Sequence, residues 1–468
     1  MKKYHILSLL AIMAIPLFLS SCLKDDDDET ELTENCYISS VSLGTLKRSS
    51  FLTTAAGMDS VVTTSYSPTG FTMSIDQRAL TIENHDSLPV HTRLTQVLTT
   101  IDFQGILMWR KAVPKEGDAT EWTAYSKKDS LDLTEPVLFK VTSETGKSSR
   151  IYTLKVNVHQ QNGDSTTWNN LGEVAVLEGL SNRKAFVWND KLMVLGQAGG
   201  SLKCVQHALA TKGDWSSTLV SGAEEAVPTT LQQMGGALYM SNTKGEVLTS
   251  TDAINWTTAS MQAQEGLQLI GATEEHLYAL CNQKLLRSNG DAWEEEALDS
   301  DPANLPTTLL NTAFYTLPNG NQRLMLIGSR NDSDTEATVW AKGWGKDKEE
   351  EATWVYYTPN NSDKYHCPML HDLCIVPYDK GLQALGGKSR DGKLTALEKI
   401  LHSQDHGITW KPYENNCMKV DDKLKSAARQ SEHICATVDD ENFLWIVLDK
   451  QVWRGRINRL GFKKSAIE

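Results

Sequence analysis

The chain has 468 residues and a formal net charge of −13, from 59 acidic and 46 basic side chains. This balance argues against nucleic acid as a partner, because nucleic-acid binding depends on clustered Lys and Arg. The length also exceeds that of one ordinary domain, so more than one domain is expected.

Residues 1–21 have the features of a secretory signal peptide. Met1–Lys3 is basic, Ile6–Leu19 is largely apolar, and Leu19–Cys22 reads LSSC. A basic start, a short apolar segment and small residues at a cleavage site are typical of such signals. The apolar run is short for a membrane span. The LSSC sequence resembles a bacterial lipobox, which implies that Cys22 is lipidated and becomes the mature N-terminus.

Residues 22–33 are predicted to form an acidic tether, because they contain the run Asp25–Glu29. Like charges in a block repel one another and keep the chain extended. An acidic run directly after a lipidated cysteine resembles the export signal of Bacteroidetes surface lipoproteins. The resemblance implies an outer-membrane lipoprotein exposed at the cell surface. A plain spacer on a periplasm-facing lipoprotein remains the alternative.

Residues 34–160 are predicted to form a β-sandwich. Short segments with alternating polarity, separated by Ser, Gly and Pro clusters, are typical of antiparallel strands. These segments are residues 37–43, 70–75, 79–83, 105–110, 137–142 and 150–158. In the last segment, Tyr152, Leu154, Val156 and Val158 share one face. This segment resembles the final strand of bacterial immunoglobulin-like and cadherin-like modules.

A polar linker at 160–165 separates this region from residues 166–468, where a repeat appears. Each repeat is an apolar hairpin followed by a tryptophan. The hairpins are residues 185–196, 231–240, 269–280, 312–328, 373–387 and 434–447, followed by Trp215, Trp256, Trp293, Trp354, Trp410 and Trp453. Propeller repeats of four strands span about 40–50 residues. The sequence therefore predicts an all-β protein with a six-bladed propeller, and Trp168 is expected to start a strand that completes the last blade.

The segment from residue 403 to residue 410 reads S-x-D-x-G-x-T-W and contains Ser403, Asp405, Gly407, Thr409 and Trp410. The Asp side chain can accept hydrogen bonds from nearby backbone N–H groups in a turn. Gly407 permits positive φ, and Trp410 can pack between blades. The motif resembles the Asp-box of sialidase-like propellers, which lies between the third and fourth strands of a blade.

Degenerate copies of this motif occur at 250–256 and 287–293, where the repeat predicts them. Because active sites are not repeated in every blade, a structural role is favoured over a catalytic one. The complete arrangement resembles an uncharacterised family of Bacteroidetes lipoproteins with a lipobox, a β-sandwich-like domain and a C-terminal propeller. The ending Val452–Phe462 resembles the C-terminal sequence of that family, which implies no function.

The most suggestive cluster for metal binding is His366, Cys367, His371 and Cys374, within nine residues of one another. Imidazole and thiolate are ligands of zinc and copper. Metal sites more often use tighter pairs or ligands from distant strands, so unrelated loop and strand positions are the favoured interpretation. No cofactor is expected.

The sequence favours a non-enzymatic cell-envelope protein whose propeller binds a glycan or an envelope protein. A propeller-fold glycoside hydrolase or lyase is the alternative. Sialidase activity would require an Arg-Ile-Pro-like motif, and the nearest segment, Asn182–Lys184, contains only the arginine. A hydrolase would place two carboxylates about 5–10 Å apart across the channel mouth. A binding protein would instead expose aromatic side chains there.

Overall fold

The computed structural model describes residues 32–53, 59–115, 117, 120–210, 214–347, 350, 353–359, 365–414 and 417–462. The predicted signal peptide, Cys22 and most of the acidic tether lie outside these residues. Contacts within the chain define one unit up to Gln160 and a second unit from Gln161 to Lys463. No helix among the described residues is long and apolar enough to cross a membrane.

The described part of the first unit contains twelve strands. They are β1 (Tyr37–Leu43), β2 (Leu46–Thr53), β3 (Asp59–Tyr66), β4 (Met73–Asp76), β5 (Thr81–Asn84), β6 (Thr92–Arg93), β7 (Val97–Gln104), β8 (Ile106–Lys111), β9 (Thr123–Ala124), β10 (Ser130–Leu131), β11 (Val137–Thr142) and β12 (Ser149–Lys155). They form the sheets β1-β7-β10, β3-β2-β6 and β4-β5-β12-β11-β8-β9. The pairing is antiparallel except between β5 and β12.

The core of this unit lies between the sheet β1-β7-β10 and the six-stranded sheet. Ile38 and Val97 from the first sheet share it with Phe139, Tyr152 and Leu154 from the second. The burial of alternate residues in β12 confirms the predicted inner face at Tyr152 and Leu154. The Tyr152 hydroxyl donates a hydrogen bond to Gln77 (2.7 Å). The two sheets therefore pack as a β-sandwich, which agrees with the predicted all-β fold.

The second unit contains the remaining strands of the described chain. They are β13 (Thr166–Glu173), β14 (Ser181–Trp188), β15 (Lys191–Ala198), β16 (Ser201–Ala208), β17 (Ser216–Leu219), β18 (Gln232–Met234), β19 (Ala237–Ser241), β20 (Val247–Ser250), β21 (Thr257–Thr258), β22 (Gln268–Ala272), β23 (Leu277–Cys281), β24 (Lys284–Asn289), β25 (Ala292–Glu295), β26 (Ala297–Leu298), β27 (Thr308–Thr316), β28 (Gln322–Ser329), β29 (Thr338–Trp344), β30 (Thr353–Tyr356), β31 (Cys374–Tyr378), β32 (Gly381–Leu385), β33 (Leu401–Ser403), β34 (Lys411–Pro412), β35 (Cys435–Val438), β36 (Leu444–Val447) and β37 (Gln451–Ile457). One helix, α1 (Asp422–Arg429), precedes β35.

These strands form six sheets, which are the blades of a propeller. Blades 1 to 6 are β14–β17, β18–β21, β22–β25, β27–β30 with β26 added at its outer edge, β31–β34, and β35–β37 with β13. All six predicted hairpins are the first two strands of a blade. The first strands of neighbouring blades contact one another from blade 2 round to blade 1, and β14 of blade 1 contacts the short turn Pro228–Thr230 directly before β18 of blade 2. These innermost strands therefore surround a central channel.

The ring closes because blade 6 takes strands from both ends of the unit. β13 pairs antiparallel with β37 and places Trp168 directly opposite Gly455. This confirms the prediction that Trp168 starts a closing strand. It also shows that Trp453 was wrongly matched to the tryptophans of the other repeats, because Trp453 lies in the third strand of its blade. The tryptophan of the fourth strand in blade 6 is Trp168.

A buried group of charges joins blades 3 and 4. The Lys342 side chain, 3% exposed, forms ion pairs with Glu296 and Glu350. Arg287 pairs with the same two carboxylates. Isolated charges in a protein interior are strongly disfavoured, so each charge here is matched by one of opposite sign. Among the residues that the structure describes, the two cations and the two carboxylates balance, so we interpret the group as structural.

Ring closure predicts a steric requirement at Gly455. A Cβ atom at this position would overlap the indole ring of Trp168. We expect Gly455→Ala to lower the free energy of unfolding by about 1–3 kcal/mol, because overpacking displaces side chains and backbone. In a Trp168→Ala background, the same substitution should cost markedly less. Denaturant unfolding of the four proteins checks this, and equal costs in both backgrounds would contradict it.

Candidate functional site

The turn between β33 and β34 has the geometry expected for the S-x-D-x-G-x-T-W motif. Ser403 Oγ donates a hydrogen bond to Asp405 Oδ1 (2.9 Å) and accepts one from the Gly407 N–H (2.7 Å). The Thr409 N–H and hydroxyl donate to the two oxygens of Asp405 (2.8 and 2.7 Å). Burial alone would raise the pKa of Asp405, but these hydrogen bonds hold that pKa below its usual value.

Gly407 and Trp410 pack this turn against blade 4. Gly407 has φ of +103°, and a Cβ atom there would lie 2.8 Å from Met325 Cε of blade 4. Only glycine meets both requirements. Trp410 is 2% exposed, packs in the core shared by blades 4 and 5, and donates its indole N–H to the Gly407 carbonyl (3.1 Å). The turn therefore joins blades 4 and 5.

The same hydrogen bonds recur in blade 2, between β20 and β21. Ser250 Oγ donates to Asp252 Oδ1 (3.0 Å), and the Ile254 and Asn255 N–H groups donate to the same oxygen (both 2.8 Å). Trp256 follows and is 3% exposed. Burial would raise the pKa of Asp252, but hydrogen bonds from Asn255, Ile254 and Ser250 lower it to about 2. Repetition of this geometry fits a structural role.

His402 precedes the Ser403–Trp410 turn and His406 lies within it, and the sequence alone predicts that both are exposed turn residues. For His402 this expectation is wrong, because the residue is 6% exposed and its ring stacks on Tyr413 at 4.2 Å between centroids. His402 belongs to β33 rather than to the turn. His406 is half-buried, with its ring 5.4 Å from that of Tyr315.

The strongest candidate for a ligand site is a cavity of about 330 Å³ in the central channel. Each of the six blades contributes residues to its lining. These residues lie at or just before the beginning of the innermost strand of the blade. The residues include Lys184, Thr229, Gln268, Thr308, Asp372 and His433, in order from blade 1 to blade 6. We call this cavity the channel mouth. Successive antiparallel strands reverse direction. The turns between third and fourth strands, such as Ser403–Trp410, therefore lie at the end of the propeller opposite the channel mouth.

Asp372 is the single carboxylate among the described residues that line the channel mouth. Its Oδ2 accepts a hydrogen bond from the Ile434 N–H (3.0 Å) and lies 3.5 Å from His433 Nδ1. Asp372 therefore links blade 5 to blade 6. The described lining contains neither a second carboxylate nor a Phe, Tyr or Trp side chain, so it matches neither of the two patterns proposed from the sequence.

Two basic residues of β14 reach the channel mouth, and they differ in their partners. Arg183, whose side chain is 2% exposed, donates to the carbonyls of Leu180 (2.7 Å) and Leu448 (2.8 Å) and pairs with Asp449. It ties blade 1 to blade 6. Lys184 is partly exposed, and burial lowers its pKa. No local sequence motif marks Lys184, whereas Arg183 is the arginine of the segment that was compared with the sialidase motif.

The four candidate metal ligands are placed differently from one another. Cys367 is buried in the core of blades 4 and 5, whereas the His371 side chain is 66% exposed. His366 is partly exposed, and Cys374 lines the channel mouth. Burial raises the pKa of both thiols, that of Cys374 to about 12, which opposes the thiolate form that binds metals. No group of three or more His, Cys, Asp or Glu in the described chain could hold a metal ion.

An aromatic cavity of about 710 Å³ lies between blades 6 and 1, outside the channel. The His207 and Trp215 rings stack there at 4.6 Å between centroids. The Arg454 guanidinium lies 4.6 Å from the centre of the Phe443 ring. The partly exposed aromatic surface expected of a binding protein is therefore found on the flank of the propeller rather than at the channel mouth.

The closed ring of six sheets defines this protein as a β-propeller protein with an additional N-terminal β domain. The chain belongs to the DUF6242 family. Residues 162–465 match the model of the DUF6242 beta propeller domain, and residues 41–156 match the model of the domain of unknown function (DUF6242) N-terminal domain. No curated protein has a sequence that matches this chain at a significant level.

Similarity to solved structures is distant. The WD40 domain of Toxoplasma gondii coronin is 11% identical, with a TM-score of 0.34 over 63% of this chain and 87% of that chain. Streptogramin B lyase is 11% identical, with a TM-score of 0.32 over 69% and 89%. The Penicillium chrysogenum α-L-arabinanase in complex with arabinobiose is 10% identical, with a TM-score of 0.33 over 62% and 96%. The fold assignment rests on the sheets and the family models.

The packing of Trp410 predicts a large effect on stability. Trp410→Ala should lower the free energy of unfolding by about 3–5 kcal/mol, because it leaves a cavity between blades 4 and 5. The channel mouth lies at the other end of the propeller, so ligand binding by the folded fraction should change little. Urea unfolding measures the first effect. A loss below about 1 kcal/mol would contradict the packing role of the indole.

The lowered pKa of Asp252 predicts a contribution to acid stability. An Asp whose pKa falls from 3.8 to about 2 on folding stabilises the protein above pH 3.8. That stabilisation is lost as the pH drops through this interval. Asp252→Asn should therefore lower the melting temperature at pH 7 and reduce the further drop between pH 7 and pH 3. Asp440→Asn, at an exposed residue, is the matched control, and equal drops in both variants would contradict the prediction.

Proposed function

We propose that this protein is a cell-envelope lipoprotein whose propeller binds the end of a glycan at the channel mouth and leaves it chemically unchanged. The observation that carries the proposal is the cavity of about 330 Å³ lined by residues from all six blades. Pockets for small ligands typically have volumes of about 300–1,000 Å³. Partner proteins instead occupy surfaces of roughly 800 Å² on each side. A concave site of this size favours a glycan over an envelope protein.

Unpartnered polar side chains around the channel mouth support a polyhydroxylated ligand. Thr229, Gln268 and Thr308 are exposed, belong to three successive blades, and make no side-chain hydrogen bond within the described residues. Hydroxyl and amide groups can both donate and accept hydrogen bonds, as sugar hydroxyls require. Three such groups converging from different blades would orient one saccharide unit.

The charge pattern of the channel mouth disfavours the hydrolase alternative. Retaining and inverting glycosidases both use a pair of carboxylates. The described lining offers Asp372 alone, and its Oδ2 is occupied by the Ile434 N–H. Binding without hydrolysis is therefore the function that this geometry supports best.

Attachment to the outer membrane is supported by the sequence of the N-terminus. The signal-like segment, the LSSC sequence ending at Cys22 and the acidic run at 25–29 occur in the order of a surface lipoprotein. A single acyl chain binds membranes weakly, and stable anchoring needs more than one membrane-binding group.

We also propose that the turns at 403–410 and 250–256 are Asp-boxes that stabilise the propeller.

A glycan array probed with the full chain tests the proposed function. We expect a limited set of saccharides to bind, and Gln268→Ala to weaken the best of them about tenfold, because one hydrogen bond to the ligand is lost. Gln404→Ala replaces an exposed glutamine at the opposite end of the propeller and is the matched control. Binding of no saccharide, or equal losses in the two variants, would contradict the proposal.

A further inference from the structure

We infer that the ligand of the channel mouth carries a negative charge, a carboxylate on its saccharide, and that the Lys184 ammonium binds this group. The inference rests on the proposed function and specifies its ligand class. It is based on two observations: Lys184 lines the cavity, and the charged groups around it already have other partners.

Lys184 belongs to the innermost strand of blade 1 and lines the channel mouth. The groups that act on it electrostatically are the thiols of Cys374 and Cys435, which begin the innermost strands of blades 5 and 6. The Lys184 side chain therefore lies on the side of the channel that blades 5 and 6 form. A ligand entering the cavity would meet its ammonium there.

The Lys184 ammonium has no counter-charge in the described chain. It takes part in no hydrogen bond or ion pair among the described residues. Burial raises the pKa of both neighbouring thiols to about 12, so they are uncharged at neutral pH. Burial also lowers the pKa of Lys184, as expected for a cation that lacks a partner, and a carboxylate bound beside it would raise that pKa again and stabilise the ammonium.

The carboxylates nearest to the channel mouth are already engaged. Asp372 accepts the Ile434 N–H (3.0 Å) and lies beside His433. Asp449 pairs with Arg183 and accepts the Glu432 N–H (2.7 Å). Neither acid forms an ion pair with Lys184, so the positive charge of the lysine is left for a ligand.

Lys342 shows how this chain treats a lysine that only supports the fold. Its buried ammonium is paired with both Glu296 and Glu350. Lys184 is partly buried without such pairing, which is energetically unfavourable. It lacks a carboxylate partner although the protein as a whole has a net charge of −13. An unpaired positive group within a cavity attracts anions strongly, because the low-dielectric cavity walls focus its field. An incoming carboxylate would supply the missing partner.

The neighbouring groups determine which anion fits best. Thr229, Gln268 and Thr308 line the same cavity and offer neutral hydrogen bonds. A sulfate or phosphate ion alone would leave these groups unused. A uronic acid presents a carboxylate together with several hydroxyls, and therefore matches both the lysine and the neutral residues.

Calorimetric titration of the full chain with D-glucuronate and with D-glucose, at equal ionic strength, tests the inference. We expect glucuronate to bind at least tenfold more tightly than glucose. Lys184→Gln should abolish this preference, and Lys184→Arg should retain most of it. Lys191→Gln is the matched control, because Lys191 pairs with Gln206 at the other end of the same hairpin. Circular dichroism verifies that each variant is folded.

The outcomes separate this inference from the proposed function. If glucose and glucuronate bind equally and Lys184→Gln changes neither, the anionic ligand is excluded while saccharide binding stands. If neither sugar binds, the acylation rate of Lys184 by an N-hydroxysuccinimide ester is measured by mass spectrometry with and without sulfate or acetate. Slower acylation in the presence of the anions would retain the anion site and overturn the saccharide proposal. An unchanged rate would overturn both.

Discussion

The structure of the propeller depends on the pairing of β13 with β37. These strands come from opposite ends of the second unit. The side chains of Thr167, in β13, and Asn458, directly after β37, are hydrogen-bonded although they are 291 residues apart in sequence. One four-stranded blade cannot bury both of its faces, so each blade is stable only between two neighbours. Closure supplies the last neighbour. It also brings the beginnings of six innermost strands around one channel, which creates the candidate ligand site.

The two ends of the propeller have different roles in this account. At one end, the Ser403–Trp410 turn and its counterpart in blade 2 use carboxylates and indoles to join blades, and the Asp405 and Asp252 carboxylates accept hydrogen bonds from within their own turns. At the other end, the polar groups of Gln268 and Lys184 lack partners in the described chain. Buried polar groups are normally satisfied, so the partly buried Lys184, which lines the cavity without a partner, supports the proposed ligand binding.

Much of the fold could be predicted from the sequence, because it depends on local patterns. The six hairpins are apolar runs joined by short turns, and the Ser403–Trp410 turn is contiguous in sequence. The ligand site could not be predicted, because six strand ends contribute two to four residues each and no spacing connects Lys184 with Gln268. The same limit explains the error at His402, where one residue separates a buried strand from an exposed turn. Closeness in sequence likewise does not by itself bring the four candidate metal ligands into one site.

The central claim is that the channel mouth binds an acidic saccharide, and a crystal structure with D-glucuronate tests it most directly. We expect the sugar within the six-blade cavity, with its carboxylate about 2.7–2.9 Å from Lys184 Nζ. Hydroxyl groups of the sugar should contact Gln268 or its neighbours in blades 2 and 4. A sugar bound instead beside Trp215 on the flank between blades 6 and 1, with the channel mouth empty, would contradict the claim.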